Sequence, residues 1–160
     1  MPRILLTDPI DPSGEQVLSS HGAEIVRAPD GQPGTVVRLA RDCDAIIIRS
    51  KIPDDIFETS PRVRAVVIHG TGTDLVPLES AIEHGVAVAN LPGGNAQTVA
   101  EYCAMAMLML ARGVFGIVSA MRTRTWDEAR ALGGGAHEIA GMTAGIVGVG
   151  EIGRRLAAIL

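Results

Sequence analysis

Two kinds of stretch in these 160 residues could do chemistry. The first is Gly148-Val149-Gly150-Glu151-Ile152-Gly153, with the spacing G-x-G-x-x-G. A short apolar run, Gly145 to Val147, leads in, and a helical pattern, Arg154 to Leu160, leads out. In a strand–turn–helix setting the first glycine allows the tight turn, the second lets a pyrophosphate approach the backbone, and the third lets helix and strand pack closely. The helix N-terminus adds unpaired N–H groups and partial positive charge. The spacing is that of a dinucleotide-binding turn.

The second kind follows apolar runs that resemble strands. Arg49-Ser50-Lys51 follows Asp44–Ile48 and offers two cations and a hydroxyl. His69-Gly70-Thr71-Gly72-Thr73-Asp74 follows Arg64–Ile68, and its glycines can present backbone N–H groups to an anion. Gly93-Gly94-Asn95 follows Val86–Ala89 and opens a helix. Open parallel sheets bind ligands beyond the carboxyl ends of their strands. Small, polar or cationic residues at these ends therefore imply a small anionic ligand facing a dinucleotide.

The elements that must position these residues alternate regularly. Arg3–Thr7 has the pattern of a strand ending at Asp8-Pro9. A helix follows from about Ser13, where Ser13-x-x-Gln16 can form a capping box, and Gly22 stops it. Ala23–Arg27 is a second strand, and Pro33–Arg41 a helix with Val36, Val37, Leu39 and Ala40 towards one side. Asp44–Ile48 is apolar on both faces, as a central parallel strand should be. Pro53–Glu58 predicts a short helix, Arg64–Ile68 a strand, and Pro77–His84 a helix with Pro in its first turn and Gly85 at its end. Val86–Ala89 makes the fifth strand. Strands alternating with helices predict an α/β fold, a parallel sheet covered on both faces.

A helix from about Ala96 to Arg112 follows, with Asn95 as its N-cap. From Tyr102 to Ala111 it is apolar all round, which predicts burial on every side, between two layers or two chains. Its methionines suit adaptable packing. A second helical piece runs from Val114 to about Arg122, and Gly133-Gly134-Gly135 precedes the final strand at Gly145–Val147. The domain organisation is 1–92, then a helix and arm over 93–140, then 141–160. That last piece cannot bury its own surfaces, so it is expected to swap into a partner, dock on helix 96–112 or be poorly held.

Composition narrows the classes. With 47% hydrophobic and 20% charged residues the chain is globular, and with 2% aromatics its core must be aliphatic. A net charge of −4 argues against a nucleic-acid protein, which would need a basic face. Cys43 and Cys103 stand apart with no C-x-x-C, which predicts two reduced thiols and no metal site in a cytoplasmic protein. Met1-Pro2-Arg3 leads straight into Ile4-Leu5-Leu6 with no signal peptide. Tyr102–Met121 is the one membrane-like stretch, and Arg112 within it would cost roughly 2.5–3.5 kcal/mol to insert. A buried helix is the better account, and no membrane partner is expected.

Four motifs in order carry a resemblance: Ile47-Ile48-Arg49-Ser50, His69 to Asp74, Asn90-Leu-Pro-Gly-Gly-Asn-Ala-Gln-Thr-Val-Ala-Glu101 and Gly145 to Arg154. Together they resemble the D-isomer-specific 2-hydroxyacid dehydrogenases over essentially the whole chain. The resemblance implies a flavodoxin-like substrate domain, a hinge helix and the first strand-turn-helix of a Rossmann domain. It implies a hydride passed between NAD or NADP, with NAD favoured, and a small anionic D-2-hydroxy or 2-keto acid, in a homodimer. By the same resemblance Arg49, Ser50, Gly72, Thr73 and Asn95 would bind substrate. Thr98 and Val99 would back the nicotinamide, Gly148, Gly150 and Gly153 would form the cofactor turn, and the amides of Glu151 and Ile152 would hold the pyrophosphate.

The chain also departs from that pattern. The family usually carries Asn and then Asp after the Gly-Thr-Asp loop, where this chain has Leu75 and Pro77. The family's catalytic Arg, Glu and His, and the acid that selects the ribose, lie beyond the part of the pattern matched here. The chain is therefore expected to have no catalytic acid/base and to be inactive alone. His21, His84 and His137 suit a solvated surface, and His69 stands on the rim without an acid beside it in sequence. The alternative is a non-catalytic module that binds a small anion or dimerises through helix 96–112. A receiver-type domain would need an acidic pair after the first strand and Asp after the third, where Asp8 stands alone and Arg49 occupies the second place.

Overall fold

A computed structural model describes residues 1–123 and 125–160 and divides them into two compact units, Met1–Gly94 and Asn95–Leu160. In the first unit the elements are β1 (Arg3–Leu6), α1 (Pro12–Ser20), β2 (Glu24–Arg27), α2 (Pro33–Ala40), β3 (Ala45–Ile48), α3 (Ile56–Thr59), β4 (Ala65–Ile68), α4 (Leu78–Glu83) and β5 (Ala87–Ala89). All strands run parallel in the order β2-β1-β3-β4-β5. The register pairs Ile4 with Ile25 and Ala45, and Ala65 with Ala45 and Ala87. This is the flavodoxin-like order, and it reverses direction between β1 and β3.

The two faces of the sheet differ. Leu5, Ile46, Ile48, Val66 and Ile68 are fully buried under Val36 and Ala40 of α2, Ile56 and Phe57 of α3, and Ala81 of α4. Each such side chain contributes about 1.5–3 kcal/mol on leaving water. On the other face α1 packs against β2 but buries no residue completely, and Val67 keeps 37% exposure. Both faces are covered, as expected, but unequally: within this unit one face carries three helices and the other one. Cys43 lies in the core, where burial pushes its thiol pKa up, and both cysteines are free thiols.

Local signals act where backbone chemistry requires them. The Ser13 capping box is not formed. Asp11 caps α1, its carboxylate accepting the Ser13 N–H at 2.9 Å, because Pro12 takes the first helical position and moves the cap one residue ahead of it. Gly22, at φ +79°, and Gly85, at φ +65°, end α1 and α4 in the left-handed region. Helix α3 begins three residues later than the pattern suggested, after a turn through Asp54 and Asp55.

The second unit holds α5 (Ala96–Ala111), α6 (Val114–Thr123), α7 (Trp126–Ala131), a 3-10 turn over Leu132–Gly135 and α8 (Glu151–Ile159). Gly113, at φ +60°, separates α5 from α6, which meet at 61°. Thr125 and Glu128 form a capping box on α7. Among the described residues no single helix is long and apolar enough to cross a membrane, and the α5–α6 pair meets that test only when bent.

One expectation, the strand at Gly145–Val147, fails here. Helix α5 is covered on one side within this chain: Ala96 and Ala100 are buried, and Tyr102, Met105, Leu108 and Leu110, 46–73% exposed, form the side that a second layer or chain would cover. Its partners within the unit, α8 above all and α6, cover only part of its circumference. The apolar run Gly145–Val147 forms no strand, and Val147 is fully exposed. A strand needs a ladder to satisfy its N–H and C=O groups, and the described residues of this unit contain none to pair with it. The tail instead docks through α8 on α5.

Candidate functional site

In the first unit the carboxyl ends of β1, β3, β4 and β5 are tied into one rim. At the switch point the Thr7 N–H donates to the Ile47 carbonyl at 3.1 Å. Asp8 then accepts the Arg49 N–H at 3.3 Å on Oδ2 and the Ser50 hydroxyl at 3.1 Å on Oδ1. The Thr7 hydroxyl donates to Asp8 Oδ2 at 2.7 Å. Partial burial pushes the Asp8 carboxyl up. Its three hydrogen bonds and the Arg49 charge outweigh that and hold it below the usual carboxylate range.

The β4 and β5 ends are joined similarly. The Leu91 N–H donates to the Gly70 carbonyl at 2.9 Å, the Asn90 amide to the Thr71 carbonyl at 2.7 Å, and the Thr71 hydroxyl to the Leu91 carbonyl at 3.3 Å. The Ile52 N–H reaches the Leu75 carbonyl at 3.1 Å and links the β3 turn to the β4 loop. Arg49, Ser50, Gly72 and Thr73 are all exposed on this rim. Asp74 shares the loop, and its Oδ1 would lie 2.6 Å from a Cβ added at Gly72. Lys51 pairs with Asp54 at 3.8 Å, whereas among the described residues Arg49 has no ion-pair partner within 4 Å. His69 is exposed, with no carboxylate hydrogen-bonded to it among the described residues.

Asn95, Thr98 and Val99 belong to the second unit. Asn95 holds the N-cap position of α5, and its carbonyl accepts the Val99 N–H at 3.0 Å. Its side chain makes no capping hydrogen bond, contrary to expectation. At ψ 10° the residue has left the extended region from which a capping side chain reaches the first turn. Thr98 is exposed and Val99 half-buried.

The glycine turn is in the same unit. Gly148 sits at φ +87°, Gly150 is the N-cap of α8, and Gly153 is buried. A Cβ at Gly153 would stand 2.4 Å from the Gly148 carbonyl oxygen, so only glycine fits there. Gly150, at φ −81°, has nothing within 4 Å of where a Cβ would be. The first-turn N–H groups of α8 open on this loop without helical acceptors. Glu151, in that turn, pairs with Arg154 and with Arg155 at 3.6 Å. These features fit a dinucleotide pyrophosphate. No group of His, Cys, Asp and Glu among the described residues is arranged to hold a metal ion.

The profile described as "D-isomer specific 2-hydroxyacid dehydrogenase, catalytic domain" matches residues 4–147. The chain belongs to this family. Rat D-3-phosphoglycerate dehydrogenase is 33% identical over 98% of the chain and 29% of its own length. The hydroxypyruvate reductase of Thermotoga maritima is 29% identical over 97% of the chain and 50% of its length. A crystal structure of an NADPH-dependent glyoxylate/hydroxypyruvate reductase from Sinorhizobium meliloti, in complex with NADP and malonate, matches at 26% identity and a TM-score of 0.77, covering 99% of the chain and 49% of that protein. The NAD-dependent formate dehydrogenase of Staphylococcus aureus shares the fold, with a TM-score of 0.82 at 24% identity. The chain spans between about three-tenths and half the length of these relatives.

Against this family's pattern, Leu75 packs half-buried on the core, and Pro77 sits at the N-cap of α4 with no side-chain acceptor to offer. Three rim residues escaped the sequence analysis as site members: Asp8, Thr71 and Asn90. Asp8 followed a strand on the functional rim, which was the available signal. Its partners lie 41 and 42 residues away, where no local pattern could reveal them.

Proposed function

We propose that this chain supplies the substrate-binding unit and the start of the cofactor unit of an NAD(P)-linked oxidoreductase. The reaction passes a hydride between nicotinamide, NAD favoured, and a small D-2-hydroxy or 2-keto acid. The organisation proposed is a substrate domain over 1–92, a hinge helix and arm over 93–140, and a cofactor domain from 141 onward. Arg49 and Ser50 help bind the substrate, the amides of Gly72 and Thr73 hold its carboxylate, and Asn95 lies near substrate and nicotinamide. Thr98 and Val99 back the nicotinamide ring, and the Glu151 and Ile152 amides take the pyrophosphate at Gly148, Gly150 and Gly153. Bound nicotinamide supplies the hydride chemistry, while the chain's own residues bind and orient.

The observation that supports this most strongly is Gly150. Its backbone is ordinary and its surroundings open, so neither strain nor packing asks for glycine. Close approach of a ligand to the backbone does. The substrate hydroxyl proton must pass to a base. His69 lacks an orienting acid among the described residues, so this chain alone is proposed to bind without turnover. A homodimer formed through the apolar outer faces of α5 and α6, where Tyr102, Leu110 and Phe115 are exposed, and a cytoplasmic location complete the reading.

The test titrates the chain with NADH and hydroxypyruvate, and separately with NAD+ and D-3-phosphoglycerate, and follows NADH absorbance. Binding without turnover is expected. Turnover would refute the missing acid/base. Binding of the acids with no response to NADH would favour the anion-binding module instead.

A further inference from the structure

We propose that Asp8 is a positioning residue of the substrate rim: it anchors the turn after β3 through Ser50 and the Arg49 main chain, so that the Arg49 guanidinium, and not the Ser50 hydroxyl, is the group of that turn that meets an incoming carboxylate. This rests on the functional reading above and assigns Arg49 and Ser50 different tasks.

Proton accounting leads to the assignment. A serine hydroxyl has one proton, and that of Ser50 is given to Asp8 Oδ1 at 3.1 Å. What Ser50 turns outward is lone pairs, which repel a carboxylate. The Arg49 N–H is also committed, to Oδ2 at 3.3 Å. The guanidinium remains available, since Lys51 is drawn to Asp54 and Arg49 makes no ion pair among the described residues. The anchor spans the β1–β3 switch point, where ligands of such sheets bind. A carboxylate placed beside an anion site is otherwise unfavourable, since it repels the ligand. Its three donors indicate that it organises the turn.

These two effects have opposite signs, which makes the idea testable. A nearby unit charge in water-like surroundings changes an anion's affinity only a few-fold, so if Asp8 were a bystander, Asp8→Asn would tighten binding. If Asp8 positions the turn, losing its charge-assisted hydrogen bonds weakens binding roughly tenfold or more.

The experiment measures hydroxypyruvate and D-3-phosphoglycerate binding to the full 160-residue chain by NMR titration, for wild type, Asp8→Asn, Ser50→Ala and Ser50→Thr. Circular dichroism melting selects variants that keep the wild-type fold. Asp8→Asn and Ser50→Ala are expected to weaken both acids, with the Arg49 amide resonance displaced before any ligand is added. Ser50→Thr, which keeps the hydroxyl, is expected to restore both affinity and resonance. Wild-type binding with equal or tighter binding by Asp8→Asn, or failure of Ser50→Thr to rescue, overturns the role of Asp8 alone. A wild-type chain that binds neither acid overturns the functional reading, and the role of Asp8 with it.

Discussion

Replacing Gly153 by alanine tests the structure of the glycine turn directly. The new Cβ would meet the Gly148 carbonyl oxygen at 2.4 Å, and contacts below 3.0 Å essentially never occur, so the helix or the turn must move by at least 0.6 Å. The obstacle is backbone, and its residue is held at φ +87°, so no side chain can swing aside to relieve it. Overpacking of this kind costs about 1–3 kcal/mol. Alanine recovers at most about 0.8–1 kcal/mol over glycine in a helix. The balance is a loss of up to about 2 kcal/mol, localised to the docking of α8 on α5, or up to about a thirtyfold change in the local equilibrium. Amide hydrogen exchange should show that loss of protection in Glu151–Ile159, with the first unit unchanged. Two companions calibrate it. Gly148→Ala meets no atom but forces a left-handed alanine, costing about 1–2 kcal/mol. Gly150→Ala meets nothing at an ordinary φ and should leave exchange as it is. Unchanged protection in Gly153→Ala, or an equal penalty in Gly150→Ala, would refute the close packing of helix on turn.

Ser60 is completely buried, and its hydroxyl has no hydrogen-bond partner among the described residues, so Ser60→Ala should stabilise the first unit by about 1 kcal/mol, seen as a higher urea midpoint at unchanged slope. Phe57→Ala should cost that unit about 3–5 kcal/mol by opening a cavity under β3 and β4, measured the same way. Acid should destabilise the fold with a definite sign. Hydrogen bonds from Ser13 to Asp11, from Arg27 to Glu15, and from the Arg3 N–H and Arg62 to Asp44 all lower the folded carboxyl pKa. At Asp8 burial opposes the same effect without overcoming it. The folded chain therefore holds fewer protons than the unfolded one. The stability these groups contribute is complete above the ordinary carboxylate range near 4 and is lost as pH falls through their lowered folded values. A denaturation midpoint that rises on acidification would contradict this.

Local pattern and cooperative structure part company at identifiable residues. Ala87–Ala89 and Gly145–Val147 are comparable short apolar runs, yet the first is a strand and the second is not, because β4 lies beside one and no ladder beside the other. Periodicity records what a segment offers and says nothing of whether a partner is present. The same limit hid the Asp8 anchor. Each of Asp8, Arg49 and Ser50 was visible at a strand end, but the bonds between them depend on β1 and β3 being neighbours in the sheet. Arg49 was legible because cations at a buried strand's carboxyl end have few structural reasons to be there. The capping of α1 by Asp11 was missed because Pro12 outranks a serine hydroxyl in setting where the helix begins.

The three glycines of the turn differ in what they imply, although in sequence they look alike. Gly148 is explained by its left-handed φ and Gly153 by its contact with the Gly148 carbonyl. Both would be required in a turn of this shape whether or not anything ever bound to it. Their presence is evidence for the strand–turn–helix scaffold alone. Gly72 falls between, since the atom that crowds it is the movable end of Asp74, and a modest rotation would make room for a side chain. Gly150 has no such account: its conformation suits any residue and its Cβ position is empty. Gly31, Gly34, Gly116, Gly134, Gly135 and Gly145 are equally open, so such a glycine bears on a ligand only in a setting that asks for one, as Gly150 does at the N-terminus of α8 inside the glycine turn. The case for a dinucleotide here therefore rests on the middle glycine of the motif, and much less on the motif as a whole.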